Sequence, residues 1–195
     1  ELIIKSYFNS FLIKNKNLKI SVARAGNVIG GGDWSENRLI PDCIKSIKNK
    51  KKLLIRFPNS TRPWQHVFEA IYGYMLLALK QKKNENINGN AFNFGPNNKS
   101  SITVIELVSK IKSKWDILNW KIVKIKKNEY ESKLLKLNST KVFKIIKWKC
   151  YLNANQTIDL VINWYKCFLD KKKINMYKYS INQIKEFEKI VQKNN

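Results

Sequence analysis

Apolar and polar positions change period several times along this chain. Leu2, Ile3, Tyr7 and residues 10–12 fall on one side of what reads as the end of a helix over residues 1–16. Leu18, Ile20 and Val22 then alternate, as in a strand, and that run ends at Arg24-Ala25-Gly26-Asn27. A glycine-rich loop follows, Gly30-Gly31-Gly32-Asp33-Trp34, and residues 39–47 read as a helix with Pro41 tolerated in its first turn. Leu53-Leu54-Ile55-Arg56 is a short strand closed by the Pro58-Asn59-Ser60 turn. A helix is predicted from Glu69 to about Lys82, with Ile71, Met75, Ala78 and Leu79 as its stripe. After the Asn88-Gly89-Asn90 turn, Ala91-Phe92-Asn93-Phe94 is a strand stopped by Gly95-Pro96. Thr103 and Glu106 form a capping box, with Val104, Leu107, Val108 and Ile111 as the apolar stripe behind it. Residues 121–124 and 134–137 read as two more strands. Ser139 opens a short helix that ends before Trp148, and two helices near 154–169 and 181–192 close the chain. Strands alternating with helices imply an α/β fold. No internal repeat appears, and no Pro-, Gly- or Ser-rich linker divides the chain.

Composition adds limits. At 195 residues and 44% hydrophobic, the chain can bury a core, yet no run of about 18 apolar residues offers a membrane span. The opening Glu1-Leu2-Ile3-Ile4-Lys5 is too short an apolar run for a secretory signal. A start at Glu rather than Met reads as part of a longer product. Cys43, Cys150 and Cys167 are few and far apart, and His66 is the sole histidine. That argues against a zinc motif and a disulfide framework, and fits a reducing, cytoplasmic compartment. The formal charge of +24 could attract nucleic acid or an anionic membrane. But the lysines are scattered, through 50–52, 82–83, 110, 112, 114, 126–127 and 171–173, where a nucleic-acid module needs a concentrated basic face. Lys, Asn and Ile share A/T-rich codons, so an A/T-rich genome accounts for all three excesses. The reading is therefore no nucleic acid and no membrane, with a basic nucleic-acid-binding module as the rival of another class.

Three segments carry more information. They are Ala23-Arg24-Ala25-Gly26-Asn27-Val28-Ile29-Gly30-Gly31-Gly32-Asp33-Trp34 running on to Asn37-Arg38-Leu39-Ile40-Pro41-Asp42; Ile55-Arg56-Phe57-Pro58 with Arg62-Pro63-Trp64-Gln65-His66-Val67-Phe68-Glu69; and Phe92-Asn93-Phe94-Gly95-Pro96. In this order the chain resembles the CDP-glucose 4,6-dehydratases, NAD-dependent members of the extended short-chain dehydrogenase/reductase family. The Arg-x-x-Asn, Leu-Ile-Pro, Arg-x-Trp and Asn-x-Gly skeleton is common to the family's epimerases and dehydratases. The Gly-Gly-Gly-Asp-Trp and Arg-Pro-Trp-Gln-His-Val wording narrows it to the CDP-glucose branch. The likeness continues through Leu135-Lys136-Leu137-Asn138, Lys141, Trp148 and Trp164-Tyr165. It departs at Tyr130-Glu131-Ser132, where His-Glu-Ala is usual, at Asn138, usually Asp, and at Phe68, often Leu.

The resemblance implies the C-terminal part of an extended Rossmann-type fold with its small substrate-binding subdomain. Residues 1–195 would hold the end of the Rossmann domain interleaved with that subdomain, without the NAD-binding half. The Gly-x-x-Gly-x-x-Gly turn that cradles the cofactor pyrophosphate is absent from the sequence, as is the Tyr-x-x-x-Lys pair, which the family places a few residues before Glu1. No catalytic residue is therefore expected here. The parent activity would be a lyase reaction, CDP-glucose to CDP-4-dehydro-6-deoxyglucose and water, for deoxysugar and surface-polysaccharide synthesis. It would proceed by oxidation at C4, loss of water across C5–C6 and return of hydride to C6. The chain alone is expected to bind nucleotide sugar weakly or not at all, without turnover. A homo-oligomer is implied for the full-length enzyme, paired through helices that include the one ending at residue 16. The rivals are another nucleotide-sugar epimerase or dehydratase, or a non-functional remnant.

Residue by residue, the resemblance puts Asn27 on the substrate diphosphate, where an amide can donate to one oxygen and accept from a hydroxyl; the alternative is an Asn capping its own turn. Arg62 would grip the diphosphate with two donors at once, on a segment stiffened by Pro63 and Trp64; otherwise it is one surface cation among many. Arg38 and Leu39 open a helix whose free amides favour anions, while Leu39 could equally be plain core. Arg56 would lie along base or ribose, or be a solvated strand residue. Asn93 would make a substrate or supporting contact. The backbone of Ala25 would meet the nicotinamide amide of NAD. His66 reads as structural rather than catalytic. The glycine loop lacks the Gly-Lys-Ser/Thr of a phosphate loop and reads as a flexible cover over the sugar.

Overall fold

The computed structural model describes residues 1–15, 17–96, 101–124, 135–170 and 174–194. Its strands pair two by two. β1 (Val22–Ala25) runs parallel to β6 (Ala91–Phe94), β2 (Asn27–Ile29) to β5 (Trp64–His66), and β3 (Leu53–Ile55) to β8 (Trp120–Ile122). β4 (Thr61–Arg62) is antiparallel to β7 (Ile102–Thr103). Parallel pairs need crossovers, and helices supply them. α2 (Leu39–Lys48) lies between β2 and β3, α3 (Val67–Gln81) between β5 and β6, and α4 (Val104–Lys114) before β8. α5 (Thr140–Ile146), α6 (Ala154–Leu169) and α7 (Met176–Asn194) follow.

The largest core packs α2, α4 and α6 around β2 and β3, through Ile44, Leu53, Leu107, Ile111, Ile158 and Tyr165, among others. A second core joins α3 and α5 to β6 through Leu77, Phe92, Phe94, Val142, Ile146 and Trp148. A smaller one seats α7 through Leu152, Phe187 and Val191. The expected capping box on α4 is formed, with Thr103 Oγ1 accepting from the Glu106 amide at 3.2 Å and Glu106 Oε2 accepting from the Thr103 amide at 2.7 Å. A second box, Asn153 with Gln156, opens α6. No helix among the described residues is long and apolar enough to cross a membrane.

Several expectations are corrected. The first strand starts at Val22, not Leu18: the Asn15 side chain takes the Leu18 amide and the Asn88 side chain the Ile20 amide, so neither enters a ladder. β8 starts at Trp120, one residue early, and α7 starts at Met176. The opening segment is an α-helix, α1 (Leu2–Tyr7), that widens into a π-helical turn at Phe8–Leu12, with no residue of either buried. Residues 135–137 are not a strand, although Leu135 donates to the Thr61 carbonyl at 3.3 Å; Leu134 and Tyr130-Glu131-Ser132 lie outside the described residues. On α3 the stripe is on the wrong side. Ile71, Met75 and Leu79 are exposed, while Glu69, Ala70, Gly73, Leu77 and Gln81 are buried. Residues 70–79 carry apolar side chains on both faces, so period alone could not choose between them. The inward face is set by Gly73, where a β-carbon would come within 2.4 Å of the Phe94 ring.

The start of α3 is a polar anchor. His66 caps it, its Nδ1 accepting from the Phe68 amide at 3.3 Å, and burial pushes this histidine down to about 4. Its burial disfavours the charged form. One turn on, fully buried Glu69 accepts from the amides of Tyr151 and Leu152 at 2.7 and 2.6 Å, tying α3 to the segment that leads into α6. Burial pushes this carboxyl up to about 7, against the pull of those two amides.

Two predictions follow from this packing. Glu69, raised above its ordinary 4.5, contributes stability that is complete below that pH and lost as pH rises through about 7. Glu69→Gln keeps an acceptor for both amides. It should match the wild type near pH 4.5 and exceed it by roughly 3 kcal/mol above pH 8, at about 1.4 kcal/mol per pKa unit. Urea titrations at the two pH values check this. Gly73→Ala should lower stability by about 1–3 kcal/mol, read as a drop in Tm, because the added β-carbon would crowd Phe94 and Trp148, both fully buried.

Candidate functional site

β1 and β2 are separated only by Gly26, yet they pair with different strands. The Gly26 amide still reaches the Phe94 carbonyl of β6 at 3.3 Å, and the next amide, of Asn27, donates to the Pro63 carbonyl beside β5 at 3.2 Å. The chain thus changes partner at the carboxyl end of β1, where open α/β sheets form their ligand crevices. A cavity of about 1130 Å³ opens there.

Six of the seven residues singled out in the sequence line it: Ala25, Asn27, Arg38, Leu39, Arg56 and Arg62. Ala25 ends β1 and Asn27 begins β2. Arg38 is the N-cap of α2 and Leu39 its first residue, so the first-turn amides face this side of the helix without an intrahelical acceptor. Leu39 also packs on the main core, as its plain-core reading expected. Arg56 follows β3 and is exposed. Arg62, in β4, is only 7% exposed. It is paired with Ile102 of β7, its Nη1 donating to the Thr61 carbonyl at 2.9 Å. Asn93 does not line the cavity. It sits inside β6 and donates to the Asn138 carbonyl at 3.3 Å, while its Oδ1 is buried without a partner among the described residues.

The chain has four arginines, Arg24, Arg38, Arg56 and Arg62, and all four line this one cavity. Every other basic side chain, apart from His66, is a lysine. Arg24 was not among the expected site residues; its Nε is 3.2 Å from Glu1 Oε1. Two aspartates share the wall. Burial raises Asp33, but the Ser35 hydroxyl and amide, Arg38 and Lys45 outweigh it and hold the carboxyl below its usual range. Asp42 is raised by burial, only partly offset by Lys45 and Arg56. Leu54, Ile55, Phe57, Val104, Leu135 and Leu137 are among the apolar residues of the wall. A positively biased, half-apolar cleft of this size suits an anionic ligand with an uncharged ring system.

The glycine loop is not a free cover. It is seated on α6, where Gly31 meets the Trp164 ring and the Tyr165 hydroxyl donates to the Asp33 carbonyl at 2.6 Å. Nothing in the local sequence signals that contact, which joins residues 132 positions apart.

No protein-family model matches the chain. It is 33% identical over 165 residues to the CDP-glucose 4,6-dehydratase of Salmonella typhimurium, a match covering 84% of this chain and 46% of that protein. Its fold is similar to that of UDP-glucuronic acid 4-epimerase from Bacillus cereus, solved with UDP-glucuronic acid and NAD: TM-score 0.69, 19% identity, 85% of this chain and 49% of that one. The dTDP-glucose 4,6-dehydratase of Bacillus anthracis, solved with NAD, superposes equally well, with TM-score 0.69 at 20% identity over 85% of this chain and 48% of that one. The chain spans about half the length of each of these relatives. In sequence the chain is thus similar to part of a CDP-glucose 4,6-dehydratase, and its fold is the one shared by nucleotide-sugar epimerases and dehydratases of known structure.

Proposed function

We propose that this chain is the nucleotide-sugar-binding portion of a cytoplasmic, NAD-dependent CDP-glucose 4,6-dehydratase, a lyase serving deoxysugar synthesis. The observation that carries the reading is the convergence of all four arginines on one cavity at the partner-switch point of the strands. A nucleoside diphosphate is a dianion, and a guanidinium offers it two parallel donors where an ammonium offers one point charge. Arg62, buried and braced by Pro63, is the diphosphate clamp, with Asn27 and the first-turn amides of α2 beside it. Arg38 and Arg56 flank the nucleoside. The cytidine choice rests on the likeness to the Salmonella enzyme and on the Gly-Gly-Gly-Asp-Trp and Arg-Pro-Trp-Gln-His-Val wording.

For NAD, the described residues offer only the nicotinamide side, at the backbone of Ala25 on the carboxyl end of β1. The cofactor would supply the hydride acceptor. Its pyrophosphate cradle and the Tyr-x-x-x-Lys pair are assigned to sequence outside residues 1–195, while the pairing of subunits is assigned to helices that include the opening one of this chain. A second reading, a dehydratase or epimerase for another nucleotide, is favoured by the solved relatives, whose ligands and substrates are UDP and dTDP sugars.

Isothermal titration of the 195-residue chain tests the choice. CDP should bind weakly, less so at high salt, and better than UDP, dTDP or GDP. Equal responses to all four would keep the family and remove cytidine; no response to any would remove the site. Arg62→Lys keeps the charge and loses the fork, so CDP affinity should fall about tenfold, near 1.4 kcal/mol. Incubated with CDP-glucose and NAD, the chain alone should release no dehydrated sugar, and detectable product would overturn the assignment of the catalytic pair elsewhere.

A further inference from the structure

Arg38 lines the cavity from the start of α2. It caps α2 with its side chain largely exposed, and its nearest acidic partner is Asp33, with Nη1 3.8 Å from Oδ2. Asp33 belongs to the glycine loop, so the loop's position decides where the carboxylate stands. That position is fixed from the far side, by α6. The Tyr165 hydroxyl donates to the Asp33 carbonyl at 2.6 Å, and the Tyr165 ring meets Trp34 edge-on at 5.4 Å. Trp164 presses on Gly31 so closely that a β-carbon there would lie 2.2 Å from its Cγ. Trp164 is itself held twice: it stacks on Phe168 at 5.3 Å with an 11° tilt, and its Nε1 donates to Ser180 Oγ on α7 at 2.9 Å. Burial, then the nearby Asp33 charge, push the Tyr165 hydroxyl up to about 12, so it stays a donor throughout the working range. Neither Trp164 nor Tyr165 lines the cavity.

We infer that Tyr165 is a positioning residue of the nucleotide site: with Trp164 it holds the Gly30–Trp34 loop on α6, setting Asp33, and through it Arg38, for an anionic ligand. The inference rests on the nucleotide-binding reading of the cavity for its ligand, but not for the loop anchor itself. By this route the α6–α7 pair governs affinity without touching the ligand.

Hydrogen exchange and CDP titration on the 195-residue chain test it together. Tyr165→Phe removes one hydroxyl and keeps the ring. Amide exchange should quicken within residues 30–38 and hardly elsewhere, and CDP affinity should fall threefold to tenfold. On an Arg38→Ala background the same change should cost CDP binding nothing further. Gly31→Ala, which cannot seat against Trp164, should give the same local exchange signature. Unchanged exchange in 30–38, or a rise spread evenly over the chain, would reduce Tyr165 to a general packing residue. An undiminished affinity loss on the Arg38→Ala background would break the route through Arg38. If the wild-type chain binds no CDP, the nucleotide reading fails by itself, and the exchange comparison still decides the anchor.

Discussion

Everything at the site hangs on a change of partner within one residue. β1 and β2 are nearly continuous in sequence, but β1 is laddered to β6 and β2 to β5. A strand cannot keep both neighbours across Gly26, so the two pairs diverge and a crevice opens between them. The crossovers that parallel pairing demands then deliver the other walls: α2 brings Arg38 and Leu39, β3 brings Arg56, and the Arg62-Pro63-Trp64 stretch closes the side next to Asn27. The polar residues meet because the ladders require it, not because they are close in the chain.

Charge tells a sharper story locally than globally. The net +24 is spread over lysines and says little about a ligand. Against that background, the use of arginine only around one cavity is informative. Where a cation serves solubility or a helix end, an ammonium suffices, as Lys112 does by donating to the Asp116 and Leu118 carbonyls beyond α4. Where two oxygens of one group must be met in a plane, it does not. A compositional drift toward lysine would leave arginine only at positions of the second kind, and Arg62, buried and braced, is the clearest of them.

Local features of the sequence were legible to the extent that local physics decides them. Thr103 with Glu106 announces a helix start because both partners lie within one turn. Gly95-Pro96 ends β6 for an equally short-range reason. The α3 face was misread because both faces are apolar, and only Phe94 and Trp148, contributed by other elements, select Gly73 as the inward side. Leu18 and Ile20 alternate like a strand, but side-chain amides took the hydrogen bonds a ladder would have used. Six of the seven candidate residues reached the cavity because motif order carries strand order with it. Asn93 did not, because in β6 its side chain turned to Asn138.

The contacts that escaped the sequence share one property: a side chain bonded to a distant backbone group. Tyr165 with the Asp33 carbonyl, Glu69 with the Tyr151 and Leu152 amides, and Gln65 with the Phe94 carbonyl span 132, 82, 83 and 29 positions. A backbone donor or acceptor has no residue identity, so no motif can name it in advance. Yet each is buried, or nearly so, and leaving its polar groups unpaired would cost about 1–3 kcal/mol apiece. Tertiary structure therefore selects these side chains as strictly as chemistry selects the arginines, while leaving a far weaker mark on the sequence. Placing the loop that carries Asp33 is one such selection, and it is made from α6, a helix with no residue of its own lining the cavity.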